Sequence, residues 1–340
     1  MERTFKTDYA KYYDLFNRDK NYSDEIDFLE LVFKKFFGVN EENKKVIKVL
    51  DLGCGTGLHT KELIKRRYSV SGLDLSKEMI EIAKKRNPSA KFYVGDMSNF
   101  DLIKNEGKFD IIICMFSALG YLTENFQLDG FFKCCKAHLK ENGLLILDIW
   151  NGLGVMHELP SSREKITEVK DENKFLKITR KSFPKLDGKN HINNVRFNVK
   201  VFEEADDENN KNEGFSNDIK NIGGEIKSNE SKFISRNLIN TKINKISNEN
   251  KLSEKYLTPL NLTDSKNNKN KEENNNYQKK NWRLIKEYDE DHKVRFFFPK
   301  ELEKYMEDYG FKLLHLCPSF NLNEELSEKH WNMILVGRMI

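Results

Sequence analysis

One run governs what this chain can fold into: Val46-Ile47-Lys48-Val49-Leu50-Asp51-Leu52-Gly53-Cys54-Gly55-Thr56-Gly57. Its apolar, β-branched first half reads as a strand buried in a parallel sheet. The glycines let the chain turn sharply and bring its backbone against a ligand. The helix that follows offers amide groups with no partner inside the helix. Strand, glycine turn and helix in that order predict a site for a nucleotide-like cofactor. The spacing is Gly-x-Gly-x-Gly, not the Gly-x-Gly-x-x-Gly of dinucleotide-binding dehydrogenases. Asp51, two residues before the first glycine, would repel a pyrophosphate but suits a cofactor bearing an ammonium and a sulfonium.

Further acids stand at strand ends. Tyr68 to Asp74 reads as a second strand ending in Asp74, about 20 residues past the turn, where a Rossmann-type acid grips ribose hydroxyls. Ser76 caps the next helix, which carries Met79, Ile80 and Ala83 on one face. A third strand, Lys91 to Val94, ends at Gly95-Asp96-Met97. The fourth, Phe109 to Met115, delivers Phe116-Ser117-Ala118-Leu119-Gly120-Tyr121-Leu122, and the fifth, Leu144 to Ile149, ends at Trp150-Asn151. The alternation predicts an α/β, doubly wound parallel sheet. Taken singly, each residue has a plain structural reading: Asp51 as a turn residue, Asp74 as a helix cap, the glycines as a tight turn. Together they fall where open α/β sheets bind ligands, at the carboxyl ends of strands.

The run Asp51-Leu52-Gly53-Cys54-Gly55-Thr56-Gly57 resembles the first motif of class I methyltransferases, which bind S-adenosylmethionine (SAM). The resemblance implies a Rossmann-like seven-stranded sheet whose last strand runs antiparallel. The tail fits that layout: Pro299 opens a helix that Gly310 ends, and Phe311 to Cys317 and Trp331 to Arg338 read as the last two strands. It implies that Asp96 contacts the adenine amino group and Met97 packs the ring. It extends the cofactor set to Tyr22, Leu75, Met79, Met115 and Phe116, beside Asp51, Gly53, Gly55, Gly57 and Asp74. Cys54 and His59 read instead as packing or backbone-orienting residues.

Before the motif lies an aromatic leader, Tyr9-Ala10-Lys11-Tyr12-Tyr13-Asp14-Leu15-Phe16 and then Lys20-Asn21-Tyr22-Ser23. Ser23 is expected to cap a helix from Asp24 to Phe37 with Ile26, Leu29, Phe33, Phe36 and Phe37 buried. The tyrosines are either a packed arm or a lid (residues 1–23) over the cofactor. The leader and the run Cys114 to Leu122 resemble small-molecule N-methyltransferases, similar to amino-sugar N,N-dimethyltransferases and, more loosely, glycine N-methyltransferases. In the amino-sugar group a histidine can stand where this chain has Tyr121. That resemblance makes Tyr13 and Tyr121 the candidates for orienting an acceptor amine, with Asn151 and His157 behind them.

After Trp150 the rhythm changes. Residues 166–203 read as strands, with Lys174 to Arg180 and Asn194 to Val201 alternating and Asp187-Gly188 as a hairpin turn. Trp282 to Tyr288 and Val294 to Phe298 are expected to complete a small antiparallel cap, 151–204 with 281–298, on a core of 1–150 with 299–340. Between them, 205–280 is rich in Asn, Lys, Glu and Ser and is read as a disordered insertion; Lys232-Phe233-Ile234 and Leu238-Ile239 in it are candidate partner contacts.

The charges nearly cancel, at +4 over 340 residues, so no nucleic-acid footprint is expected. No apolar run reaches about 18 residues, which argues against a membrane span. Five cysteines without metal spacing point to reduced thiols, a cytoplasmic protein and no metal. The expected partner is a small-molecule acceptor, with room for a homodimer. Three functions stay open: a SAM-dependent methyltransferase acting on a small molecule, such as an amine; one acting on a protein or RNA; and a non-catalytic SAM-binding regulator.

Overall fold

A computed structural model describes residues 7–171, 174–205 and 281–340. The expected insertion, with its two candidate contact segments, lies outside the described residues apart from Ala205, as does the start of the leader.

The strands of the main sheet are β1 (Lys48–Leu52), β2 (Ser69–Asp74), β3 (Lys91–Val94), β4 (Phe109–Cys114) and β5 (Leu139–Trp150). Strands β6 (Arg163–Asp171), β7 (Lys174–Asp187), β8 (Ile192–Glu204) and β9 (Trp282–Arg295) form the cap, and β10 (Phe311–Pro318) and β11 (Asn332–Met339) return to the main sheet. The helices are α1 (Thr7–Phe16), α2 (Tyr22–Phe37), α3 (Leu58–Lys65), α4 (Lys77–Arg86), α5 (Ile103–Glu106), α6 (Asn125–His138), α7 (Gly152–His157) and α8 (Pro299–Asp308).

The seven-stranded sheet runs β10-β11-β5-β4-β1-β2-β3. Strands β1 to β5 pair in parallel, whereas β11 is antiparallel to both β5 and β10, the expected layout. Successive side chains of each strand point to opposite faces, which explains the continuous apolar runs of a sheet covered on both sides. Val49, Ile111, Ile113 and Ile146 pack with Ile26, Leu29, Val32 and Phe33 of α2. Their neighbours Leu50, Ile112, Leu145 and Leu147 pack with Phe131 and Phe132 of α6 and Leu302 and Met306 of α8. Each such side chain, at or near 0% exposed, contributes about 1.5–3 kcal/mol. The strand order reverses between β1 and β4, the switch point where such sheets open a ligand crevice.

The cap is a four-stranded antiparallel sheet in the order β6-β7-β8-β9. The expected hairpin turn falls between Asp187 and Ile192. The two segments expected after residue 281 join in one strand, β9, that runs through Asp289-Glu290-Asp291-His292-Lys293 and ends at Arg295, short of the expected Phe298. That run hides the strand because five consecutive polar residues interrupt the apolar alternation. Asp289 and Asp291 are exposed and meet Asn198 and Arg196 across the strand pair, while Glu290 and His292 are 3% exposed.

Helix α2 starts earlier than Ser23 implies. Asn21 caps it, its side chain accepting from the amides of Ser23 and Asp24, and Gly38 closes it at φ 75°. The leader helix α1 buries Tyr9, Tyr12 and Phe16 against Leu176, Ile178, Val199 and Val201 of the cap. Tyr12 is therefore a packing residue.

Candidate active site

The glycine turn is held from behind by β2. The amides of Gly53 and Cys54 donate to the Leu73 carbonyl at 2.8 and 3.1 Å. The Gly55 amide donates to Asp74 Oδ2 at 2.8 Å, and Asp74 Oδ1 accepts from the Ser76 amide at 2.8 Å. One carboxylate thus fixes the turn and the start of α4 together. Burial raises the Asp74 pKa, against the pull of the Ser76 and Gly55 amides. Gly53 sits at φ +69°, and a Cβ there would lie 2.6 Å from Ala118 Cβ, so β1 and β4 approach at their carboxyl ends as only glycine allows.

Asp51 lies behind the turn. It is 1% exposed and accepts a 2.9 Å hydrogen bond from Thr60 of α3, and burial pushes its pKa up to about 6. Met79 and Met115 are each 2% exposed, and Gly57 is also buried. These four members of the expected cofactor set are thus buried around the turn. The accessible members of the expected set are Tyr22, Gly53, Gly55, Asp74, Leu75, Asp96, Met97 and Phe116. They lie at the carboxyl ends of β1 to β4 or on the leader. The Asp96 carboxylate accepts from the Ser98 amide at 2.8 Å and from the Ser98 hydroxyl at 2.7 Å.

The leader crosses this edge. Thr56 Oγ1, in the glycine turn, donates to Asp14 at 2.6 Å. Arg86 of α4 pairs with the other Asp14 oxygen and donates to the Thr56 carbonyl at 2.6 Å. At the far end of the leader, Lys20 and His59 both meet Glu25, at 2.5 and 2.6 Å. Burial would raise the Glu25 pKa, but His59 and Lys20 outweigh it and hold it low. His59 is therefore a hydrogen-bonding partner of Glu25, with the Tyr22 ring edge-on to it at 4.9 Å. Lys20 also lies 3.7 Å from the centre of the Phe116 ring.

Phe116 and Ser117 are consecutive non-glycine residues in the left-handed region, at φ 55° and 57°. Each such residue costs about 1–3 kcal/mol and persists only where its surroundings fix it. Asp148 of β5 does so: its carboxylate accepts from the Phe116 amide at 2.9 Å and from Ser319 Oγ at 3.1 Å. Its carbonyl accepts from the Ser117 amide at 3.0 Å. Burial pushes the Asp148 pKa up to about 6. The bend aims the 3-10 turn Ala118–Tyr121 toward the leader.

There the acceptor-side candidates meet. Tyr13 and Tyr121 are partly exposed. Burial raises both phenol pKa values, and their electrostatic neighbours include each other's surroundings: Tyr22, Tyr121, Tyr9 and Asp74 for Tyr13, and Tyr9, Glu290, Arg180 and Asp74 for Tyr121. Both phenols lie within electrostatic reach of Asp74. From the cap come residues that the sequence alone did not single out. Arg180 of β7 donates to Tyr9 Oη at 3.2 Å, and His292 Nδ1 lies 2.7 Å from Tyr121 Oη. A histidine does reach this place, but from β9. Asn151 is not an acceptor contact. It is 0% exposed, caps α7 and donates to the Ser327 and His330 carbonyls at 3.0 and 2.7 Å. His157 is an exposed residue at the end of α7. Among the described residues no group of acids, histidines and cysteines could hold a metal, and no helix is long and apolar enough to cross a membrane.

Fold and edge together define a Rossmann-like sheet of the methyltransferase type, with a Gly-x-Gly-x-Gly ligand turn, an acid closing it from β2 and a leader helix latched across it. Residues 49–143 match the family described as "Methyltransferase domain", so this stretch is similar to that domain. Among curated relatives, dTDP-3-amino-3,6-dideoxy-alpha-D-glucopyranose N,N-dimethyltransferase of Streptomyces fradiae is 36% identical over 112 residues, which cover 33% of this chain and 43% of the relative. The dTDP-3-amino-3,4,6-trideoxy-alpha-D-glucopyranose N,N-dimethyltransferase of Streptomyces venezuelae is 33% identical over 149 residues, 43% of this chain and 59% of the relative. The chain thus spans about half the length of these relatives. A solved S-adenosylmethionine-dependent methyltransferase from Clostridium acetobutylicum shares the fold at TM-score 0.59 and 17% identity, covering 96% of both chains. Streptomyces venezuelae DesVI does so at TM-score 0.59 and 19% identity, covering 98% of both.

Proposed function

We propose that this chain is a SAM-dependent methyltransferase that moves a methyl group to a small-molecule amine. The observation that carries the reading is the Asp74–Gly55 bond at the switch point with the tyrosine leader latched over Thr56. In this reading Asp74 holds the ribose hydroxyls, and Asp96 and Met97 meet the adenine. Leu75, Phe116 and Tyr22 line the cofactor, while Asp51, Met79 and Met115 support its walls. The residues fit such a group: accessible acids at the strand ends suit hydroxyls and an ammonium.

When bound, SAM supplies a methyl carbon already activated by its sulfonium. The protein's part is to align the attacking nitrogen and exclude water. A neutral amine needs no strong base. Tyr13 and Tyr121 keep their protons at neutral pH and orient the amine by hydrogen bonds. The 3-10 turn, α1 and the inner face of the cap close around it. The relatives named for dTDP-linked amino sugars support such a sugar as the first acceptor to try. The reading includes a core of 1–150 with 299–340, a cap of 151–204 with 281–298 and a homodimer. It also includes a cytoplasmic address, which five unpaired thiols support. The test is transfer of labelled methyl from SAM to dTDP-3-amino-3,6-dideoxyglucose and to simpler primary and secondary amines. Label appearing in any of them supports the reading; label only in added protein or RNA would sink it.

A further inference from the structure

The inner face of the cap carries a polar group that the methyl-transfer scheme above leaves unused. By strand register, Pro184, Val195 and His292 stand in one row, with Ser182, Phe197 and Glu290 in the row beside it. His292 is 3% exposed, so its ring is fixed rather than free to swing. The Tyr9 ring of α1 lies 5.1 Å from it and the Phe197 ring of β8 stands edge-on at 5.0 Å. Its Nδ1 is 2.7 Å from Tyr121 Oη, and its Nε2 is 4.0 Å from a Glu290 carboxylate oxygen.

We propose that His292 is a positioning residue for methyl transfer: its Nδ1 accepts a hydrogen bond from the Tyr121 hydroxyl, which turns the phenol oxygen's lone pairs toward the N–H of the acceptor. The inference rests on the function proposed above. The tautomer follows from the surroundings. A carboxylate on the Nε2 side favours the proton there, which leaves Nδ1 with its lone pair facing Tyr121. The charged and titratable groups facing the ring are Tyr9 from α1, Tyr121 from the 3-10 turn, Arg180 from β7 and Glu290 from its own strand, while Asp291 acts on it electrostatically from the opposite face of β9. Burial and Arg180 push the His292 pKa down to about 4, against Asp291, so the ring is neutral at physiological pH and accepts rather than donates at Nδ1. A phenol whose O–H is donated as a hydrogen bond to His292 can only accept from the amine. That orients the nitrogen lone pair toward the methyl carbon. The C–N bond then forms as the C–S bond breaks, the electron pair passes to sulfur, and the proton of the new ammonium leaves to solvent. Tyr121 stays protonated throughout.

The test has two arms on the full chain. In the first, ring-nitrogen NMR of ¹⁵N-histidine protein, with His292 assigned by its loss in His292→Asn, should show a neutral Nε2–H tautomer. It should not titrate between pH 6 and 8, and Tyr121→Phe should shift its Nδ1 signal. An Nδ1–H tautomer, or titration in that range, overturns the proposal. In the second, with dTDP-3-amino-3,6-dideoxyglucose as acceptor, His292→Leu should lower kcat roughly 10- to 100-fold without changing S-adenosylhomocysteine affinity. His292→Asn, whose Oδ1 can accept the same hydrogen bond, should restore most of it, and Tyr121→Phe combined with His292→Leu should be no worse than the lower single variant. A kcat for His292→Leu within twofold of wild type, or additive losses, overturns the role. If wild type does not methylate that sugar, the function reading fails for that acceptor, and the NMR arm alone decides the pair.

Discussion

The latch between leader and glycine turn gives the sharpest quantitative expectation. Asp14 accepts from Thr56 at 2.6 Å and pairs with Arg86, the two side chains being 29% and 23% exposed. Fully exposed ion pairs contribute about 0.2–1 kcal/mol, and buried hydrogen bonds to charged groups about 1.5–3 kcal/mol. A pair at this depth falls between, at about 1–2 kcal/mol. If the leader closes over bound cofactor, that energy appears in cofactor affinity. Asp14→Ala should then weaken S-adenosylhomocysteine binding by about 5- to 30-fold. The leader would not come away entirely, because Tyr9, Tyr12 and Phe16 remain packed on the cap. The assay is calorimetric titration of wild type, Asp14→Ala, Arg86→Ala and the double variant, read as a double-mutant cycle. A coupling of about 1–2 kcal/mol is expected at this geometry. An Asp14→Ala affinity within twofold of wild type, or fully additive single losses, would refute the idea that the leader closes on the ligand.

Asp148→Asn should be at least as stable as wild type at pH 7.5. The folded-state pKa of Asp148, about 6, lies above its ordinary value of 3.8, so the folded chain binds that proton more tightly than the unfolded one. Its contribution to stability therefore falls as pH rises from about 4 to about 6, by up to about 3 kcal/mol. Asparagine keeps an acceptor for the Phe116 amide and removes the titration, so thermal unfolding should show its advantage at pH 7.5 shrinking toward pH 4.5; a less stable variant at pH 7.5 would contradict this. Gly53→Ala should lose about 2–4 kcal/mol of stability from left-handed strain and overpacking, because its Cβ would meet Ala118 Cβ at 2.6 Å. Adding Ala118→Gly should recover part of that loss in a denaturant titration, and no recovery would place the damage elsewhere.

Much of the core was legible because its signals are local. Val49-Leu50-Asp51-Leu52 followed by three alternating glycines specifies strand and turn within a dozen residues, and Ser76 and Pro299 mark helix starts by their chemistry alone. What stayed hidden depends on residues far apart in the chain. Asp148 supports Phe116 from 32 positions away, and nothing near Phe116 announces its left-handed backbone. Arg180 ends a segment that reads as a half-solvated cap strand, and His292 lies in an unbroken polar run. Their importance arises only because α1 and the 3-10 turn cover the inner face of the cap. Asp51 shows a different limit. Its place in the motif was plain, but its burial beneath the turn was not, since spacing along a strand does not reveal depth.

The most direct test of the central claim is calorimetric titration of the full chain with S-adenosylhomocysteine, with NADH as control and Asp74→Ala alongside. Because Asp74 both anchors the Gly55 amide and stands where ribose hydroxyls would bind, we expect micromolar affinity for S-adenosylhomocysteine, none for NADH, and loss of binding in the variant. Absence of binding, a preference for NADH, or an Asp74→Ala chain that binds as tightly as wild type would contradict the account.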